Sequence, residues 1–189
     1  MVSFVISGDV IKDISNSLYW RVAVHSCHCY ASLWWSTQID VYAYTDWQIV
    51  RSFQLPGCHN LCIDHTLSVT EQHIKVCCSN RNILIILDHN VNVKAMHGPQ
   101  IDITEYSREE VSHNEPVISM LSCPYLCQDD NEGNILVADC DNNRLLMYNA
   151  EGHVYNVTPQ GILDNPKCAV YFNQRLYVGN LCRTIAMFA

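Results

Sequence analysis

The chain has 189 residues and a formal net charge of −8 at pH 7. An apolar content of 49% with 16% charged residues is typical of a folded domain and excludes a disordered chain. The 11 Lys and Arg residues are scattered, whereas nucleic-acid binding draws most of its affinity from clustered cations. Nucleic acid is therefore an unlikely partner, although the 9 His residues add positive charge below about pH 6.5.

Cysteine usage and hydropathy bear on the compartment. The 11 Cys residues are odd in number and irregularly spaced, and the first twelve residues lack the basic region of a signal peptide. No apolar run approaches the roughly 18 residues of a membrane span. We therefore expect no membrane association and a reducing, cytoplasmic location in which most Cys side chains serve as small buried hydrophobes.

The first part of the chain reads as short strands separated by turns. Residues 1–16 predict a strand pair turning at Gly8-Asp9, or the edge of a preceding unit. A first unit, residues 17–57, predicts four strands, at Tyr19–Val24, Tyr30–Trp35, Ile39–Tyr44 and Trp47–Leu55. A second, residues 58–98, predicts four more, at Leu61–Ile63, Ile74–Cys78, Ile83–Leu87 and Val91–Ala95.

A polar, acidic insertion at residues 99–116 interrupts the pattern. Its simplest interpretation is a disordered excursion, with one helical turn possible at residues 105–111, although loops often carry function. A third unit spans residues 117–160 and a fourth spans residues 167–189.

The units are copies of one another. Aligning Val137 with Val76 and with Val178 superposes two apolar runs and the turn between them. A period of about 40 residues with several short strands per unit indicates a β-propeller blade. We therefore predict an all-β fold, a partial propeller of about four four-stranded blades in an incomplete or open ring.

One repeat resembles a known family. The segment Ile135–Gly152 is similar to the NHL repeat, in which an apolar strand ends in Ala-Asp and a polar turn with Asn-Arg leads to a second apolar strand and a Gly turn. Val137-Ala138-Asp139 and Asn143-Arg144-Leu145 match that pattern, whereas Cys77-Cys78 replaces Ala-Asp in the second unit. The linkers Val50–Gly57 and Asn165–Val170 resemble those of TRIM-type (tripartite motif) NHL propellers, so the resemblance covers about residues 17–189.

The resemblance implies a fragment and a role in binding. NHL propellers usually close with six blades, which implies that this chain is incomplete. In TRIM-type parents the propeller recruits a substrate or partner while an N-terminal RING transfers ubiquitin. The resemblance thus implies a protein-interaction scaffold with a loop face for a protein partner, such as the substrate-binding part of a ubiquitin ligase. No RING, B-box or coiled coil is present, so we expect no enzymatic activity from this chain and no cofactor.

Two other functions remain open: an RNA-binding NHL face and a metal-dependent propeller lyase or lactonase. Such a lyase would hold its metal at equivalent positions of the central channel. The equivalent positions here are expected to be Trp34, Lys75, Leu136 and Tyr177, which do not form a metal-binding set. Motifs for nucleophilic or phosphate chemistry are also missing, so no catalytic residue is predicted.

Two Cys and His groups invite a zinc hypothesis. Cys58, Cys62, Cys123 and Cys127, with His59 and His65 nearby, have suitable pair spacing, but the pairs fall in equivalent linkers of neighbouring units, which the repeat itself explains. His25, Cys27, His28 and Cys29 are too close together on one turn to surround a tetrahedral ion. No metal site is therefore predicted.

Asp139 and Arg144 form the strongest local pair, predicted to make a charge-assisted bond that pins their turn. The four Trp residues, Trp20, Trp34, Trp35 and Trp47, fall in the first unit. Core packing is the expected role for them, while a Trp pair exposed on a loop would be a binding hot spot. The surface that binds a partner is not predicted.

Overall fold

A computed structural model describes residues 2–6, 9–14, 19–33, 35–56, 65–98, 121–129, 133–149, 153–159, 161–181 and 184–188. The described residues form short strands joined mostly by tight turns. The strands are β1 (Val2–Ile6), β2 (Asp9–Ile14), β3 (Tyr19–His25), β4 (His28–Leu33), β5 (Gln38–Ala43), β6 (Ile49–Gln54), β7 (His65–Val69), β8 (Ile74–Cys78), β9 (Ile83–Leu87), β10 (Val93–His97), β11 (Pro124–Asp129), β12 (Ile135–Asp139), β13 (Arg144–Tyr148), β14 (Val154–Asn156), β15 (Pro166–Phe172), β16 (Arg175–Asn180) and β17 (Ile185–Phe188). Single 3₁₀ turns at Ser79–Arg81 and Cys140–Asn142 join β8 to β9 and β12 to β13.

Strands that follow one another in the chain pair with one another in antiparallel sheets. Blade 1 contains β3–β6, blade 2 contains β7–β10, blade 3 contains β11–β14 and blade 4 contains β15–β17, while β1 and β2 form a separate two-stranded sheet. The predicted all-β partial propeller is confirmed. The described residues of blade 4 form three strands.

The first strand of each sheet lies at the centre of the propeller. β3 packs against β7, β7 against β11, and β11 against β15, whereas β6, β10 and β14 are the last strands of their sheets. Sheets that touch through their first strands fan outwards, which is the geometry of propeller blades.

The cores lie between the blades. Successive side chains along a strand point to opposite sides of its sheet. In each blade one set of side chains therefore faces the preceding blade and the other set faces the following blade. Val76, Val137 and Val178 are fully buried and each faces the blade before it, in the cores of the first, second and third junctions. The alignment of the three repeats on these Val residues is therefore confirmed in three dimensions.

The bounds of some strands depart from the prediction, and some predicted segments lie outside the described residues. The first strand of blade 2 is His65–Val69, a segment in which the sequence predicts no strand, while the strand predicted at Leu61–Ile63 falls outside the described residues. The last strand of blade 2 begins two residues later than predicted, at Val93. The insertion at residues 99–116 also lies outside the described part of the chain.

Three of the four positions predicted to line the channel lie on second strands instead. Lys75, Leu136 and Tyr177 lie on β8, β12 and β16, the second strands of their blades, and Trp34 is not among the described residues. Lys75 and Leu136 are buried, with Leu136 in the core of the third junction. The repeat was aligned correctly, but the strand nearest the axis was misassigned.

The described cysteines are in different states, and Cys27, Cys123 and Cys168 are free thiols that are exposed or partly exposed. Cys29, Cys77 and Cys140 are buried free thiols, as expected for small hydrophobes, and burial raises the pKa of Cys29 to about 11. Cys78 is instead disulfide-bonded. Where the chain is described, it holds no helix with the length and apolar character to cross a bilayer.

Candidate protein-binding face

The turns at one end of the strands and the linkers between blades share one rim of the propeller. Because neighbouring strands run in opposite directions, the turn between the second and third strands lies at the same end as the segment entering the next blade. We call this rim the linker face. Its described residues are 35–37, 55–56, 79–82, 121–123, 140–143, 161–165, 181 and 184.

A buried carboxylate organises the linker face in blade 3. Asp139 ends β12 with no exposed surface, and Nε of Arg144 lies 2.6 Å from its Oδ2. The backbone N–H of Ser122 donates to Oδ1 at 2.6 Å, and the Asn142 amide donates to both oxygens, at 3.0 and 2.9 Å. The predicted pair thus extends beyond its hairpin, because Ser122 belongs to the segment that enters the blade.

Two asparagines link successive blades at this rim. Asn82 and Asn143 follow the two 3₁₀ turns with φ of 58° and 51°, a left-handed conformation that Asn tolerates well. The backbone N–H of Cys123 donates to Oδ1 of Asn82 at 2.7 Å, and the N–H of Asn165 donates to Oδ1 of Asn143 at 2.7 Å. The same turn position therefore caps the entry of the following blade at two consecutive junctions.

The residue at the end of the second strand differs between blades. Asn180 takes the place of Asp139 in blade 4, where its Oδ1 accepts from the N–H of Asp164 at 3.4 Å and its Nδ2 donates to Thr184 at 3.2 Å. In blade 2 the position belongs to the disulfide-bonded Cys78. The last position of the second strand is therefore an Asp in blade 3, an Asn in blade 4 and a disulfide-bonded Cys in blade 2.

Exposed apolar side chains stand on this rigid rim. Trp35, Ile162 and Leu181 are each about half exposed or more, on two turns and one linker. Arg81, Asp141 and Asp164 are exposed beside them. The opposite rim also exposes apolar side chains where strands begin or end, at Ile49 and Phe172. An apolar anchor surrounded by polar groups is the usual composition of a protein-binding patch.

The Trp residues have different environments. Trp47 is buried and its ring meets Tyr44 edge-on at 5.0 Å, as expected for core packing. Trp35 is exposed in a turn with φ of 59°, a strained conformation for a bulky residue. The side chains of Trp20 and Trp34 are outside the described set. The hot-spot interpretation thus applies to Trp35, which the sequence could name but not separate from the other three.

The zinc candidates do not assemble where they are described. Sγ of Cys27 lies 3.6 Å from Nδ1 of His28 at the opposite rim, while Cys29 points into the core of blade 1. Cys123 is a free thiol at the linker face. Among the described side chains no group of three or more His, Cys, Asp or Glu could hold a metal ion. Cys58, His59 and Cys62 and the side chains of His65 and Cys127 are outside that set.

No protein-family profile and no curated protein matches the chain. Solved structures do match. A streptogramin B lyase is 14% identical, with 94% of this chain and 56% of that chain covered and a TM-score of 0.61. The WD40 β-propeller domain of Doa1 is 14% identical, with 90% and 50% covered and a TM-score of 0.60. The computationally designed Ika4 protein is 10% identical, with 92% and 91% covered and a TM-score of 0.57.

These likenesses support the propeller fold alone, because all three identities are low. The chain spans about half the length of the lyase and of the Doa1 domain chain that it matches.

Proposed function

We propose that this chain is a protein-interaction scaffold whose linker face binds a protein partner. The observation that carries the proposal is the exposure of Trp35, Ile162 and Leu181 on a rim braced by hydrogen bonds between blades. A rigid apolar anchor loses little conformational entropy on binding, so it can supply most of the affinity of a small interface.

The proposed role is binding rather than catalysis. We further propose that the blades are of NHL type, on the strength of the Asp139 and Arg144 pair and its Asn-containing turn. On that view the chain would serve as the substrate-recruiting part of a larger protein, such as a TRIM-type ubiquitin ligase, in the cytoplasm.

Interaction mapping tests the face. Partners captured by the wild-type chain would be compared with those captured by Trp35→Ala combined with Leu181→Ser, and by the control Ile49→Ser. Ile49 is similarly exposed but begins β6 near the opposite rim. We expect the linker-face variant to lose its specific partner and the control to retain it. Equal capture by both variants would disprove the role of this face.

The other two functions give different results in solution. RNA homopolymer binding that weakens steeply with salt would indicate phosphate contacts and favour an RNA-binding face. Metal bound in stoichiometric amount after purification would favour the lyase or lactonase class.

A further inference from the structure

A lysine and a free cysteine face each other across the junction of blades 3 and 4. Nζ of Lys167 lies 3.8 Å from Sγ of Cys123 and 4.5 Å from the centre of the Tyr125 ring. Cys123 is a partly exposed thiol in the segment that enters blade 3, and Lys167 lies on β15, the first strand of blade 4. The pair therefore connects two blades at a place where small molecules can reach the thiol from solvent.

Backbone bonds hold the thiol in place. Cys123 has a φ of 52°, a left-handed conformation that is uncommon for a residue with a side chain, and its N–H donates to Oδ1 of Asn82 at 2.7 Å. The preceding residue, Ser122, donates its own N–H to the Asp139 carboxylate at 2.6 Å. Two consecutive N–H groups are thus bonded to two different blades, which fixes the point from which the Cys123 side chain extends.

A β-bulge positions the amine. The residues on either side of Lys167 pair with two adjacent residues of β16, so Lys167 is the extra residue of this ladder. Bulges of this kind redirect a side chain. The cationic Nζ packs on the Tyr125 ring, which is a favourable contact, and it has no carboxylate partner among the described residues. The amine is therefore held beside the thiol without being committed to an ion pair.

We propose that Cys123 and Lys167 form an oxidation-dependent modification site, at which a peroxide converts the two side chains into a covalent sulfur–nitrogen bond. A sulfenic acid condenses with a nearby nitrogen to give a sulfenamide. Lys167 supplies that nitrogen within contact distance of the sulfur. The bond ties blade 3 to blade 4, so an oxidant restrains the movement of one blade against the other.

The reaction has two balanced steps. In the first, the Cys123 sulfur attacks one oxygen of hydrogen peroxide and the O–O bond breaks. Sulfur loses two electrons to the peroxide, and the leaving oxygen departs as water with the thiol proton. In the second, Nζ of Lys167, having released its ammonium proton to solvent, attacks the sulfenic sulfur. The S–O bond breaks and the oxygen leaves as a second water with one N–H proton, so the product lacks two hydrogen atoms relative to the reduced chain.

Peptide mapping of the full chain after treatment with hydrogen peroxide tests the bond. Trypsin needs a free lysine side chain, so we expect cleavage after Lys167 to be lost on oxidation and to return after reduction with dithiothreitol. A peptide that joins Cys123 to Lys167 should carry the loss of the two hydrogen atoms. Lys167→Arg keeps the cation beside Tyr125 but has no amine, so it should give no joined peptide. Cys168→Ser should retain it, which excludes a disulfide between Cys123 and Cys168.

Trapping of the sulfenic acid supplies a matched control. Cys27 is also a free, exposed thiol, and its described contact is with Nδ1 of His28 at 3.6 Å rather than with a lysine. In wild-type chain treated with peroxide and dimedone, which adds to sulfenic acids, we expect an adduct at Cys27 and none at Cys123, because the amine captures the Cys123 sulfur first. Lys167→Arg should give adducts at both thiols.

The opposite results overturn the proposal. Continued cleavage after Lys167 in the oxidised wild type, with dimedone adducts at both thiols, would show that the amine does not capture the sulfur. A joined peptide that persists in Lys167→Arg or disappears in Cys168→Ser would show a bond between other side chains. A Cys123 thiol that stays reduced in both the wild type and Lys167→Arg would show that peroxide does not react there.

Discussion

Blades 3 and 4 are neighbouring copies of one repeat with different surroundings. Blade 3 is packed on both flat sides, and its second strand ends in a buried carboxylate with a cationic partner. Blade 4 is packed on one side, and its second strand ends in Asn180, which makes neutral hydrogen bonds. The comparison shows that two copies of one repeat can hold the end of the second strand differently, with an ion pair in blade 3 and with neutral hydrogen bonds in blade 4.

The largest expected effect on stability distinguishes the buried side of blade 3 from the exposed side of blade 4. Val137→Asp should destabilise the fold by more than about 4 kcal/mol, because it places an unpaired charge between two packed sheets. The matched change Val170→Asp, on the open side of blade 4, should cost no more than about 0.5 kcal/mol.

Chemical denaturation at high dilution measures both variants without a contribution from association. Cooperative unfolding of Val137→Asp at the wild-type midpoint would contradict the assignment of Val137 to the core. Severe loss of stability in Val170→Asp would show that the side of blade 4 facing away from blade 3 is covered within the single chain.

The next prediction compares Asp139 and Asn180, which hold the last position of the second strand in blades 3 and 4. Asp139→Ala should lower the free energy of unfolding by about 3 kcal/mol, because it leaves Arg144 and the Ser122 N–H without their buried acceptor. Asn180→Ala should cost about 1 kcal/mol, since it removes neutral bonds near the surface. Urea titration of both variants measures the difference. Equal losses would show that the charged pair adds nothing to the neutral version of the turn.

A smaller effect tests the bond that joins blades 3 and 4. Asn143→Gly keeps the left-handed backbone accessible and removes the side-chain acceptor for Asn165, so it should cost about 1 kcal/mol. Asn143→Ala removes the same bond and adds backbone strain of about 1 kcal/mol. The difference between the two variants in thermal unfolding therefore measures the strain. Wild-type stability in Asn143→Gly would mean that the inter-blade bond contributes nothing.

The smallest expected effect is a pH dependence of stability. It arises at the turn after the third strand, which has equivalent positions in blades 2 and 3. Asp88 accepts bonds from the side chain and backbone of Asn92, and these bonds lower its pKa to about 2, with smaller contributions from Lys94 and the Asn90 N–H. Because the folded-state pKa lies below the ordinary one, the stabilisation is present above about pH 4 and is lost as the pH falls towards 2.

Asn149 holds the corresponding position in blade 3 and accepts from the N–H of His153, with no charge to titrate. Asp88→Asn should therefore remove a small, acid-sensitive part of the stability, while Asn149→Ala should leave the acid dependence unchanged. An acid-unfolding profile of Asp88→Asn that matches the wild type would contradict this assignment.

Much of the fold could be predicted from residue pattern, and the errors have physical causes. Ile135–Asp139 and Arg144–Tyr148 are apolar runs between turn residues, so the sequence predicts both strands and the Asp139–Arg144 pair between them. His65–Val69 was missed because Thr66 and Ser68 dilute its apolar alternation, although Thr66 is buried. The candidate site could be predicted only in part. Trp35 and Trp47 are the same residue type in the same unit, and only the surrounding structure buries Trp47 and leaves Trp35 exposed.

The residue pattern was sufficient to establish the repeat, its β-strand character and the packing positions Val76, Val137 and Val178, because periodic burial leaves a direct record in the order of apolar residues. The placement of the first strands at the axis, the bonds from Asn82 and Asn143 to the next blade and the exposed side of blade 4 became visible only in three dimensions. Those features depend on contacts between residues distant in the chain, whose partners no local spacing specifies.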